Sequence, residues 1–115
     1  MSKAITKLRV LGQDVGVVGD DLVGRERECF GEFRPGRCQI AIDPQLDPQQ
    51  QGETLLHEVL EKLTHGLGID LEHAGLTALS NGLYAVLRDN TEAVRRILAG
   101  ERIVGSGVAG GRKNA

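Results

Sequence analysis

Aromatic residues are scarce in this chain of 115 residues, which contains two phenylalanines, one tyrosine and no tryptophan. A site for single-stranded nucleic acid needs aromatic side chains on which bases stack, so this composition argues against one. The net charge of −2 likewise gives no basic surface for double-stranded DNA. We therefore expect no nucleic-acid partner, and a core built from aliphatic side chains.

Long hydrophobic runs are also missing from the sequence. No apolar run approaches the roughly 20 residues that a membrane-spanning helix needs. Residues 1–3 lead into an alternating pattern rather than into the apolar centre of a signal peptide. We expect a cytoplasmic protein without a membrane partner.

Cysteine is limited to Cys29 and Cys38, which flank a predicted hairpin turn over 34–37. If the turn has two residues, Cys38 faces Phe33 and Cys29 lies further along the strand, too far away for a disulfide. We favour two buried, reduced thiols. The alternative is a metal pair, but the sequence lacks the Cys-x-x-Cys spacing that is typical of a zinc knuckle.

The pattern of apolar residues changes from strand-like to helical along the chain. Alternation predicts one hairpin over 7–18 and a second over 29–42. Asp47-Pro48-Gln49-Gln50 has the form of a helix start with a capping box, and this helix should run to about His65. Two further helices are predicted, from near Leu71 to Asp89 and over 91–99.

These elements predict an α+β fold. A small antiparallel sheet of two N-terminal hairpins packs on the first long helix, which is followed by two further helices. We expect a single domain over 1–104 and a flexible, glycine-rich tail over 105–115.

The first long helix carries the most informative stretch, His57-Glu58-Val59-Leu60-Glu61. It is one residue away from the His-Glu-x-x-His signature of zinc peptidases. At about 100° per residue, His57 and Glu61 lie one turn apart opposite the apolar sector, and Glu58 flanks them. His57 and Glu61 can then bind one ion while Glu58 acts as a general base. The same row is also typical of the solvated face of an amphipathic helix.

A catalytic zinc site needs a third protein ligand. We favour His73, because the second long helix begins near it and the preceding turn can bring it over His57 and Glu61; Glu72 is another acid within reach. His65 lies about 12 Å along the helix from His57, too far to share an ion, although it can donate a hydrogen bond to a substrate. The side chain of Tyr84 is more typical of a core residue than of a transition-state donor.

The segment 54–61, followed by Leu71-Glu72-His73 and by 83–90, resembles the small zincin-like metallopeptidase-domain proteins found in phages and prophages. The resemblance covers most of the chain, from the second predicted hairpin to the Leu-Tyr-Ala-Val-Leu-Arg-Asp-Asn segment. Within this family the chain is similar to a branch that reads His-Glu-x-x-Glu and has a histidine at the Leu-x-His position. It departs from the family pattern at 64–65 and at Gly75.

The resemblance implies one zinc ion bound by His57, Glu61 and His73, which is the inventory of a His2Glu catalytic site with an open fourth position. It implies a zinc-dependent metallopeptidase with Glu58 as the catalytic residue, a peptide or protein as substrate and, if a phage encodes it, the host cytoplasm as the compartment. One alternative is a catalytically silent metal-binding or protein-interaction module on the same scaffold, such as a phage accessory or regulatory protein. Another is a non-haem iron centre, which uses the same ligand types.

Overall fold

The computed structural model describes residues 3–26 and 29–105. Its strands and helices are β1 (Lys7–Val10), β2 (Gln13–Gly19), α1 (Asp21–Arg25), β3 (Gly31–Arg34), β4 (Gln39–Ile42), α2 (Pro48–Gly66), α3 (His73–Asp89) and α4 (Thr91–Leu98). The predicted α+β class is confirmed. The short helix α1, which precedes β3, was not part of the prediction.

The sheet has four strands in the order β1-β2-β4-β3. Both predicted hairpins are present and antiparallel, but β2 and β4 run parallel, so the sheet as a whole is mixed. After β2 the chain passes through α1 to β3 at the far edge of the sheet, and it then returns as β4 between β2 and β3. Strand β4 therefore lies parallel to β2. As a result, β3 is an edge strand.

Both hairpin turns contain residues with positive φ. Leu11 and Gly12 have φ angles of 51° and 77°, and two consecutive residues with positive φ form the type of turn that matches strand twist. Cys38 has φ 49° and belongs to the second turn, so β4 begins one residue later than predicted. Neither Cys29 nor Cys38 forms a disulfide, and both are half-buried rather than buried as predicted.

The core lies between the sheet and α2. Val15 and Ile40 are fully buried at its centre, and Leu55 and Val59 of α2 pack against this cluster. The start of α2 is the capping box that the sequence predicts, because the Asp47 side chain accepts a hydrogen bond from the backbone N–H of Gln50 at 2.8 Å. This cap fixes the residue at which α2 begins.

Contacts divide the chain into two compact units, 1–84 and 85–115. The first contains the sheet, α1, α2 and most of α3, and the second contains the end of α3 and all of α4. The single domain over 1–104 stays a prediction. Of the tail expected over 105–115, only Gly105 lies within the described residues.

No helix within 3–26 and 29–105 is both long and apolar enough to cross a membrane. The cytoplasmic compartment itself stays a prediction.

Candidate metal centre

Three side chains on two successive turns of α2 lie close together. One ligand atom from each of His57, Glu58 and Glu61 lies within 4.8 Å of the other two. Helical geometry brings them together, since residues three and four apart face the same side. Within the described part of the chain, this is the one group of histidine, cysteine and acidic side chains close enough to hold a metal ion.

His73, the fourth predicted site residue, begins α3 and lies beside His57. Their ring centroids are 5.4 Å apart and the rings meet edge to face at 68°. Two imidazoles on one tetrahedral zinc, with bonds of about 2 Å, have centroids about 5 Å apart. The spacing of this pair therefore suits a shared ion, although His73 is not a member of the tight group on α2.

Glu58 lies in an unusual environment for a carboxyl group, since it is only 5% exposed. Burial raises the pKa of Glu58 to about 7, with further contributions from the charge of Glu61, a hydrogen bond with Glu61 and the charge of Glu32. Its Oε1 atom is buried without a hydrogen-bond partner among the described residues. A buried carboxylate oxygen without a partner is costly, and a catalytic role or a bound water or ion is a physical reason for keeping one.

The burial of Glu58 depends on the close approach of β3 to α2 at Gly31. A Cβ atom at Gly31 would lie 2.6 Å from Cγ2 of Thr54, 3.1 Å from the carbonyl oxygen of Ala41 and 3.6 Å from Cγ of Glu58. No side chain fits in this space. The glycine therefore lets the edge strand cover Glu58, and this contact could not be read from the helix pattern alone.

A cleft of about 400 Å³ is lined in part by His57, Glu58 and His73, whereas Glu61 is exposed and lies outside this lining. Its lining comes from the segment that leads into β3 and from the facing sides of α2 and α3: Cys29, Phe30, Gly31, Glu53, Thr54, His57, Glu58, His73, Thr77 and Asn81. Its volume falls in the range of small-molecule and substrate pockets. His57, His73 and the largely buried Glu58 thus border the same cleft.

Ser80 is a site residue that the sequence analysis missed. It is 2% exposed, and its Oγ lies 3.3 Å from Nδ1 of His57. The same hydroxyl donates to the carbonyl oxygen of Thr77 at 3.1 Å. The available signal was a serine one turn after Leu76 on the buried face of α3, where an aliphatic residue is expected.

His65 and Tyr84 lie outside the cleft lining. His65 is exposed in the last turn of α2. The ring of Tyr84 lies against α2 at Gly52, where an added Cβ would be 3.4 Å from Cε1 of the tyrosine. Tyr84 therefore packs against α2, as expected for this residue.

Comparisons of the chain with protein-family models, curated proteins and solved structures find no match in any of the three. The resemblance to zincin-like phage proteins therefore stays a prediction, and the chemistry of the site has to be argued from its own residues.

Proposed function

We propose that this protein is a zinc-dependent metallopeptidase whose metal ligands are His57, Glu61 and His73 and whose general base is Glu58. The observation that carries the proposal is the convergence of His57, Glu58 and Glu61 within 4.8 Å on one side of α2. The adjacent ring of His73 supplies the second imidazole. Together these side chains offer the donor set of a His2Glu zinc site.

The surroundings of Glu58 support a metal ion at this point. Its Oε1 has no hydrogen-bond partner among the described residues, and its carboxyl group and that of Glu61 repel each other when both are ionised. A nearby cation would relieve this repulsion and favour the ionised forms. We infer that the site is arranged to receive positive charge.

Peptide hydrolysis requires a nucleophile, a proton acceptor and a proton donor. The zinc, when bound, would supply a Lewis acid that lowers the pKa of water towards neutrality. The Glu58 carboxylate would accept a proton from a water molecule in the cleft and later deliver it to the leaving amine. Burial raises the pKa of Glu58 to about 7 in the metal-free protein. The charge of a bound zinc ion would lower this pKa, so Glu58 would be ionised and able to accept the proton near neutral pH.

Zinc content and peptide cleavage, measured on the same preparations, test the proposal. The wild type should bind one zinc ion per chain and cleave members of a mixed peptide library. His57→Ala should lose both properties, whereas the control His65→Ala removes an exposed histidine from the same helix and should keep both. A wild type that holds no zinc contradicts the metal site, and one that holds zinc without cleaving any peptide contradicts the peptidase.

A metal-binding module without turnover is the second candidate. The observation that favours it is the burial of Glu58, which is 5% exposed and hydrogen-bonded with Glu61. A carboxyl group held in this way is a metal ligand as readily as a base. Zinc binding that is lost in both Glu58→Gln and His57→Ala, without cleavage by the wild type, would favour this candidate.

A further inference from the structure

One hydrogen bond joins the candidate metal centre to α3. The Ser80 hydroxyl carries a single hydrogen and two lone pairs. The hydrogen is directed to the carbonyl oxygen of Thr77, which lies 3.1 Å from Oγ and can only accept. A lone pair of the same oxygen therefore faces Nδ1 of His57, which is 3.3 Å away.

This arrangement favours one tautomer of His57. With its hydrogen directed to Thr77, Ser80 Oγ acts as an acceptor towards the imidazole, and Nδ1 then carries the proton. The neutral ring then has its free lone pair on Nε2. A histidine binds a metal through its unprotonated nitrogen, so the bond to Ser80 selects Nε2.

We propose that Ser80 is a positioning residue of the metal centre, which orients the His57 ring and leaves Nε2 as the metal-binding atom. The inference rests on the proposed function in that it takes the metal centre as given. Ser80 is 2% exposed, so water cannot readily replace its hydroxyl. Removal of such a partner of a metal-bound histidine typically lowers metal affinity about 10- to 100-fold.

Two measurements test this role. Nitrogen-15 NMR of the metal-free protein, at a pH where the ring is neutral, should show His57 protonated at Nδ1 in the wild type. Ser80→Ala should shift the ring towards the Nε2-protonated form. In competition with a chelator, Ser80→Ala should bind zinc about 10-fold or more weakly than the wild type.

Thr64→Ala is the matched control. The Thr64 hydroxyl donates to the carbonyl oxygen of Glu61 at 3.1 Å, the same type of helical bond that Ser80 makes to Thr77. Its loss should change neither the tautomer of His57 nor the zinc affinity. An effect of Thr64→Ala as large as that of Ser80→Ala would mean that helix perturbation, and not the bond to His57, lowers the affinity.

The inference is overturned if wild-type His57 is protonated at Nε2, a result that does not depend on whether Ser80→Ala folds. It is also overturned if Ser80→Ala retains the wild-type tautomer and zinc affinity. Absence of zinc binding by the wild type contradicts the proposed function instead, while the tautomer of the metal-free protein still decides the direction of the hydrogen bond between Ser80 and His57.

Discussion

Two acidic clusters adjoin the edge strand β3, and they differ in their counter-charges. In the first, Arg34 donates to Asp20 and to Glu32, each at 2.7 Å, and these two hydrogen bonds raise the pKa of Arg34. In the second, Glu58 lies beside Glu61, and the pKa of Glu58 is raised mainly by burial. Acidic groups bridged by an arginine form a structural ion pair, whereas a buried acidic group that is repelled by an acidic neighbour marks a candidate binding or catalytic site.

The largest effect is expected from Glu58→Gln, which keeps the shape of the side chain and removes its ability to accept a proton. General acid–base catalysis contributes about 10²- to 10⁴-fold. We expect kcat/KM for peptide cleavage to fall by at least about 100-fold, with one zinc ion still bound. Asp70→Asn removes an exposed carboxylate between α2 and α3 and should retain full activity. Unchanged cleavage in Glu58→Gln would show that Glu58 is not the base.

The next largest effect is expected in the pH dependence of stability, to which Glu58 of the second cluster contributes. The pKa of Glu58 is raised from 4.5 to about 7 in the folded protein, so the folded state binds this proton more tightly than the unfolded state. The resulting stabilisation is complete below pH 4.5, decreases as the pH rises from there to about 7, and is lost at higher pH. Its magnitude is on the order of 3 kcal/mol.

Urea denaturation of the metal-free protein from about pH 5 to about pH 8 measures this effect. Glu58→Gln cannot titrate at this position, so its free energy of unfolding should fall less than that of the wild type over this range. Parallel curves for the two proteins would mean that Glu58 has an ordinary pKa in the folded state.

A smaller effect is expected where β3 covers the second cluster. Gly31→Ala places a methyl group 2.6 Å from Thr54 Cγ2 and 3.1 Å from a backbone oxygen, so β3 must move away from α2. Overpacking of this type costs about 1–3 kcal/mol. We expect a lower free energy of unfolding and a more exposed Glu58. Gly36→Ala is the control, since nothing lies within 4 Å of its added Cβ; equal stability of the two variants would contradict the close approach.

The smallest effect is expected from Arg34→Gln, which breaks the bridged cluster. Its side chain is 20% exposed, and its acidic partners are similarly half-buried. We expect a modestly lower Tm and unchanged zinc affinity. Arg9→Gln, whose ion pair with Asp14 is more than half exposed, should leave Tm unchanged. A loss of zinc in Arg34→Gln would show that the two clusters act as one site.

Local sequence patterns account for the parts of the site that lie on one helix. The capping box at Asp47 and the helical period place His57 and Glu61 one turn apart without reference to the rest of the chain. The burial of Glu58 could not be predicted in this way, because the contact that buries it comes from Gly31 on another element.

The same limit applies to Ser80 and to the sheet. The bond from Ser80 to His57 joins two helices that are packed by the tertiary fold, and nothing in the spacing of either helix specifies it. The parallel pairing of β2 with β4 depends on the path of the chain through α1. A hairpin pattern predicts that two strands consecutive in the sequence pair antiparallel. It does not predict which strands of two different hairpins pair with each other.

The metal centre itself can be tested by X-ray absorption at the zinc edge on the protein loaded with one equivalent of zinc. We expect nitrogen and oxygen ligands at about 2.0–2.2 Å, with the multiple-scattering signature of two imidazoles, from His57 and His73. A sulfur ligand at about 2.3 Å would assign the metal to cysteine instead. That result, or a protein that retains no zinc, would contradict a metal centre formed by His57, Glu61 and His73.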